Sequence, residues 1–319
     1  MKRSVKMKFI NVLQNKNVFA DGIHDDTKAL QTCIDEVKDG GVVYFPDGTY
    51  LVSAALIFYS HQHLKFSDKA VILRSDKSEP LTRYLLASYS EADWGGYCGT
   101  HDAVISGGIF DGNASMTERS TLVNTVHCSN IIIENCRFRN CSQWHFIEIN
   151  ASENVTVRNC YFDGYSYTSV NEGLYNEMLQ LDLAGDNSYG PVYNCDGRHI
   201  AHLVDYTTCR NIKIESNVFR CNGFPAIGHH GDCAHSGIEI VGNIFDGASG
   251  RDSKSRGYII FRPQVYDVTV RNNSFLAPEE TENPGLAIVA ENPDKNAYTV
   301  FDNYFAGKID FRITNESVV

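Results

Sequence analysis

Four short apolar runs in this chain end in residues that can do chemistry. Phe146-Ile-Glu-Ile-Asn150, Met178-Leu-Gln-Leu-Asp182, Ala226-Ile-Gly-His-His230 and Tyr258-Ile-Ile-Phe-Arg262 present an amide, a carboxylate, an imidazole and a guanidinium in turn. Asp182 can act as a general acid or nucleophile, and His230 can pass protons near neutral pH. Arg262 can hold a polar or anionic substituent through two parallel hydrogen bonds. Paired acid–base work needs a second carboxylate, and Glu148 and Glu177 are the candidates. Asn150, Gln180, Trp144 and His229 complete the set as candidate substrate contacts, with Trp144 offering a flat face for a ring to stack on. These groups act together only if the fold gathers positions more than a hundred residues apart.

A recurring phrase supplies that fold. It reads His101-Asp-Ala-Val-Ile-Ser-Gly-Gly-Ile-Phe110, Ser129-Asn-Ile-Ile-Ile-Glu-Asn-Cys-Arg-Phe138 and Glu153-Asn-Val-Thr-Val-Arg-Asn-Cys-Tyr-Phe162. It returns at Arg210–Phe219, Ser236–Phe245 and Tyr266–Phe275, and in weaker form before Phe305. The closing phenylalanines lie 28, 24, 57, 26, 30 and 30 residues apart. Repeats of this length mean a solenoid, and period-two β-branched runs make its elements strands. About three strands per repeat gives an all-β, single-stranded right-handed parallel β-helix. The 57-residue step equals about two repeats, so either a further coil or a long loop fills it. In that step Asp186, Asp196 and Asp205 stand with Tyr189, Tyr193, Arg198, His199 and His202, and long loops of this kind carry function.

Strand alternation turns Ile147, Ile149, Leu179, Leu181, Ile259 and Phe261 inward. Glu148 and Asn150, Gln180 and Asp182, Gly228 and His230, and Ile260 and Arg262 then face outward. With coils about 4.8 Å apart, Asn150, Asp182, His230 and Arg262 form one row roughly 15 Å long. His229 has inward parity, and Glu177 sits at a strand entry where parity is weak. The position two before each phenylalanine is Cys136, Cys160, Asn217, Asn243, Asn273 and Asn303. Such an exchange marks a small buried stacking site, and Asn at this turn also tolerates the left-handed conformation.

The start of the chain is different. Ala29, Leu30, Cys33, Ile34 and Val37 share one helical face, with Asp25, Asp26 or Thr27 as N-cap, and such a helix suits the open end of a β-helix. One β-helix domain is expected over 1–319, with 1–55 as the cap and first strands, 56–305 as coils and 306–319 as the end. The net charge of −11 argues against nucleic acid and anionic membrane surfaces as partners. The first residues hold no apolar run long enough for a signal peptide or a span, and the ten cysteines recur inside the repeat, so a reduced, cytoplasmic setting is expected. His229-His-Gly-Asp-Cys-Ala-His235 contains zinc-type residues, but a strand followed by a turn spreads them apart. Asp21 to Asp26 is explained by helix capping, so no metal or cofactor is expected.

Asp21-Gly-Ile-His-Asp-Asp-Thr-Lys-Ala-Leu-Gln31, followed by Gly40-Gly-Val-Val-Tyr-Phe-Pro-Asp-Gly-Thr-Tyr50, resembles the opening of the pectate-lyase superfamily. That group includes polygalacturonase-like glycoside hydrolases, pectin lyase-like enzymes and tailspike depolymerases. The resemblance implies a carbohydrate-active enzyme. By it, Gln180-Leu-Asp182 stands where the polygalacturonases have an aspartate pair, Gly228-His-His-Gly231 where they have the histidine, and Phe261-Arg262-Pro263 where they have the arginine. The chain departs from that pattern: no Asp-Asp pair is present, Asn150 replaces an expected Asp, and no Lys follows two residues after Arg262. The expected function is a glycoside hydrolase acting on a plant or microbial oligo- or polysaccharide. A lyase, epimerase or transferase on the same fold, or a non-catalytic glycan-binding solenoid, is the alternative. Likeness to tailspikes admits a homotrimer.

Overall fold

The computed structural model describes residues 7–76, 84–89, 94–116, 120–166, 177–185, 204–229, 234–247, 257–261, 264–278, 285–290, 292 and 294–310. Three parallel sheets of ten, ten and nine strands run the length of a right-handed parallel β-helix. Each full coil gives one strand to each sheet. The β-branched run Ser129–Glu134 lies in the first, Arg137–Arg139 in the second and Ile147–Asn150 in the third. Equivalent residues are stacked in register, as Ile131, Val155, Ile212, Ile238 and Val268 are in the first sheet. Among the described residues no helix is long and apolar enough to cross a membrane.

The corner between the first two sheets explains the recurring phrase. Asn135, Asn159, Ser216, Gly242, Asn272 and Asp302 hold the left-handed conformation, with φ of 53–65°. The next residue points into the coil. Sequence reasoning gives one asparagine both tasks, whereas the structure divides them between neighbours, because the turn reverses the side-chain direction within one step. Inside, Asn217 donates from its backbone N–H and its amide to Asn243 Oδ1, at 2.9 and 3.0 Å. Asn243 does the same to Asn273 and Asn273 to Asn303, while each amide also donates to a main-chain carbonyl of the first-sheet strand one coil back. Cys136 and Cys160 fill this column in earlier coils.

Beside it runs a stack of rings: Phe110, Phe138, Phe162, Phe219, Phe245, Phe275 and Phe305, with centroids 4.6–5.3 Å apart. The eight described cysteines form no disulfides among themselves. Burial pushes the thiols of Cys141 and Cys209 up to about 12, so they serve as small apolar groups.

The 57-residue step holds no extra coil. Phe162 is the direct register partner of Phe219, and Val155 of Ile212, so the strands on either side of the step are neighbours. The strand Leu179–Asp182 belongs to the coil that ends there. Length alone makes an insertion look like two repeats.

The helix Thr27–Asp35 lies at the open end with Leu30, Cys33 and Ile34 buried. Gln31 clamps the first strand of the third sheet, accepting from Ile57 N–H at 2.7 Å and donating to Ile57 carbonyl at 3.0 Å. Asp26 stands at the N-cap position but accepts from Phe19 and Ala20 N–H instead. Asp25 takes the Thr27 N–H. The cap thus ties the preceding segment to the helix as well as closing the coil.

Candidate active site

The outer face of the third sheet gathers most of the described candidates. Asn150 is the register partner of Asp182, and Glu148 that of Gln180. Along the same column Asn124 precedes Glu148, Gly228 follows Gln180, and Ile260 and Val289 come next. Ile57 and Ala87 begin it. The column is therefore apolar at both ends and polar in its middle. Asp182, two residues along the strand from Gln180, is diagonal to Glu148, about 7–8 Å away at Cα.

Glu177 joins this group by a route that parity does not show. A β-carbon on Gly228 would lie 2.5 Å from Glu177 Cγ and 2.7 Å from its Oε1. The glutamate side chain thus occupies the space above the glycine, and Glu148 and Glu177 flank Gln180 from opposite sides. Any larger residue at 228 would expel it. The Glu177 main chain is held in turn by His145, whose Nδ1 lies 2.6 Å from the Glu177 carbonyl.

The expected open groove is covered. Glu148, Asn150, Glu177, Gln180 and Asp182 are all at most 1% exposed, and Asn124 is 3% exposed. Within this buried cluster Asn150 Nδ2 donates to Glu148 Oε1 at 3.2 Å, and Asp182 Oδ1 accepts from Leu183 N–H at 2.7 Å. Gln180 has no such satisfaction: among the described residues neither its Oε1 nor its Nε2 meets a hydrogen-bond partner. Asn124 Nδ2 and Asn150 Oδ1 are likewise unbonded among the described residues. A buried amide without partners costs about 1–3 kcal/mol, and such groups cluster where a ligand supplies the missing bonds.

His229 does not belong to this face. It is the partner of Leu181 on the inward side, against His235 at 5.3 Å and Phe261 at 5.9 Å. Strand alternation sends it into the core, apart from the outward cluster. Trp144 is half-buried in the turn before Ile147, with its carbonyl accepting from Tyr165 hydroxyl. His230, Arg262, Asp186, Asp196, Tyr189, Tyr193, Arg198, His199 and His202 lie outside the described residues. Asp205 is described, and it ties Gly96 N–H and Thr207 N–H at 2.7 and 3.0 Å. Asn124 is the residue that sequence reasoning passes over. Its signal is its outward parity in Leu122-Val-Asn-Thr-Val126.

Comparisons with known proteins fit this architecture. A family profile described as rhamnogalacturonase A/epimerase, pectate lyase-like, matches residues 9–218. The chain is 28% identical over 317 residues to plasmin and fibronectin-binding protein A of Streptococcus pneumoniae, an alignment covering 88% of this chain. It spans 42% of that relative's length. A crystal structure of this Streptococcus pneumoniae surface adhesin superposes with a TM-score of 0.74 at 23% identity, covering 95% of this chain and 74% of the other. A hyperthermoactive exopolygalacturonase from Thermotoga maritima gives 0.59 at 16% identity, over 94% and 76%. With about two thirds of its length matched by the profile, the chain belongs to the rhamnogalacturonase A/epimerase, pectate lyase-like family.

Proposed function

We propose that this protein hydrolyses a glycosidic bond at the covered outer face of the third sheet. Asp182 is the general acid or nucleophile, and Glu148 or Glu177 is its partner carboxylate. Asn124, Asn150 and Gln180 bond sugar hydroxyls. His230 and Arg262 continue the row in sequence and take the roles of proton transfer and substrate anchoring. The observation that carries the reading is Gln180, fully buried between two glutamates, with both ends of its amide unbonded among the described residues. A hydroxylated ligand offers donors and acceptors together and would satisfy both ends. The covered cluster also supports water exclusion around the reacting bond, which strengthens each hydrogen bond there. Substrate entry requires the cover to open.

A second reading has its own support. The similarity to plasmin and fibronectin-binding protein A favours a non-catalytic binding solenoid. Release of reducing ends from a panel of pectic and other oligo- and polysaccharides separates the two. The hydrolase reading expects turnover of at least one substrate and its loss in Asp182→Asn with an unchanged circular-dichroism spectrum. Saturable glycan or protein binding without turnover would favour the binding solenoid. An unsaturated, ultraviolet-absorbing product would assign a lyase instead.

A further inference from the structure

We propose that His61, His101 and Asp102 form a binding site for a divalent transition-metal ion of the zinc and copper class. The site lies at the corner where the chain leaves the third sheet for the first. His61 sits in the turn between the strands Leu56–Phe58 and Gln62–Phe66, and His101 opens the strand His101–Ser106 of the next coil. Stacking brings together two histidines forty residues apart in sequence.

The donor geometry suits such an ion. His101 Nδ1 is 3.0 Å and His61 Nδ1 is 3.6 Å from Asp102 Oδ2. One ligand atom from each of the three residues lies within 4.8 Å of the others. An ion with bonds of about 2.0–2.2 Å holds tetrahedral neighbours roughly 3.4 Å apart, so small side-chain rotations close the set. The two rings are nearly perpendicular, at 86° with centroids 4.6 Å apart, which lets both nitrogens converge without stacking. Two imidazoles and one carboxylate select zinc, copper or nickel over calcium and magnesium, which prefer oxygen-only shells. The three side chains are 41–54% exposed, which leaves the remaining coordination positions to water.

The surrounding backbone holds the ligands in place. His61 and Asp102 both adopt the left-handed conformation, with φ of 60° and 55°. His61 N–H donates to the His101 carbonyl at 3.0 Å, and His101 N–H to Ser60 Oγ at 3.0 Å. A β-carbon on Gly40 would come within 3.1 Å of His61 Cβ, so glycine there makes room for the turn. A chain of amides also aims at the carboxylate. Asn211 donates to Asn154, Asn154 to Asn130, and Asn130 to Asp102 Oδ1 at 2.9 Å. Every donor in this chain points the same way, and Oδ2 remains directed at the histidines. Partners of this kind orient metal ligands in known sites. A bound ion would clip two adjacent coils near the capped end.

Calorimetric titration of the full chain with Zn2+, and separately with Ca2+, tests the site. One saturable Zn2+ site is expected, with no comparable Ca2+ binding and a thermal midpoint that rises with free Zn2+ and falls back with chelator. His101→Ala or Asp102→Asn should weaken Zn2+ at least tenfold, and the His61→Ala/His101→Ala pair should abolish the site. With Cu2+, paramagnetic resonance should show two coordinating imidazole nitrogens, a readout that needs no variant. Zn2+ binding unchanged in the double variant would overturn the proposal, as would a copper spectrum lacking nitrogen coupling.

Discussion

Two columns of side chains run along the same coils and obey opposite rules. At the corner between the first and second sheets the rungs repeat: phenylalanine on phenylalanine and, from Asn217 to Asn303, asparagine on asparagine, each amide bonded to the next. On the outer face of the third sheet no two adjacent polar rungs agree. Asn124, Glu148, Gln180 and Gly228 follow one another, and the amide atoms Asn124 Nδ2, Gln180 Oε1 and Gln180 Nε2 are buried without partners among the described residues. The repetitive column holds the fold together, since identical rungs satisfy each other. The irregular face departs from local consistency, as binding sites do. Three carboxylates and three amides buried side by side are a poor way to build a core and a good way to hold a polyol.

The largest effects should separate the two columns cleanly. Asp182→Asn is expected to lower glycan turnover about 10²- to 10⁴-fold, the usual contribution of a positioned acid or base, while leaving the unfolding midpoint nearly unchanged. Reducing-end assays beside urea melts measure both. Phe162→Ala, in the ring stack between Phe138 and Phe219, should do the reverse. A loss of about 3–5 kcal/mol of stability is expected from the cavity it leaves. If Phe162→Ala proved mild, the ring stack would not be what secures the coils.

Asn243→Ala tests the ladder at a smaller scale. Its Oδ1 accepts two bonds from Asn217, and its amide donates to Asn273 and to the Ile214 carbonyl. Removing it strands a buried N–H and a buried carbonyl, at a cost of about 2–3 kcal/mol by denaturant titration. The ladder was legible because Cys136, Cys160 and Asn217 share one place in the repeat. The division between the left-handed residue and the ladder residue was not, since a sequence shows which types recur but not where a turn reverses direction.

The outer face was legible as far as alternation reaches. Glu148, Asn150, Gln180 and Asp182 follow from one inward set, Ile147, Ile149, Leu179 and Leu181. Glu177 escapes that logic because it belongs to no strand, and only a glycine two coils' width from Glu148 makes room for it. The cover over the face was also hidden. Whether the outside of a strand meets water depends on segments distant in sequence, which period-two patterning does not encode.

Acid should weaken the interior through His235. This ring is buried and accepts from Cys209 N–H at 2.9 Å through Nδ1, and burial pulls its pKa down to about 3. The unfolded chain takes up the proton near pH 6.5 and the folded chain does not. Stability from this group is therefore full above about pH 6.5 and is lost as pH falls toward 3, at up to about 1.4 kcal/mol per unit. His235→Asn keeps an acceptor for Cys209 and should flatten the slope by that amount in melts between pH 7 and 5. An unchanged slope would mean that the ring is already charged in the folded state.

The smallest effect is the most discriminating, because its sign is unusual. Gln180→Leu keeps a side chain of similar size and removes an amide whose two ends are buried and, among the described residues, unbonded. Loss of an amide from the Asn243 ladder destabilises, whereas loss of this one should stabilise by about 1 kcal/mol, because no partner is left stranded and a desolvation cost disappears. The same substitution should impair glycan binding, raising KM more than it lowers kcat if Gln180 only holds substrate. More stability with less binding is the signature of a side chain kept for function. A destabilised Gln180→Leu with intact binding would make Gln180 an ordinary structural amide, and the outer face would lose the observation that carries its function.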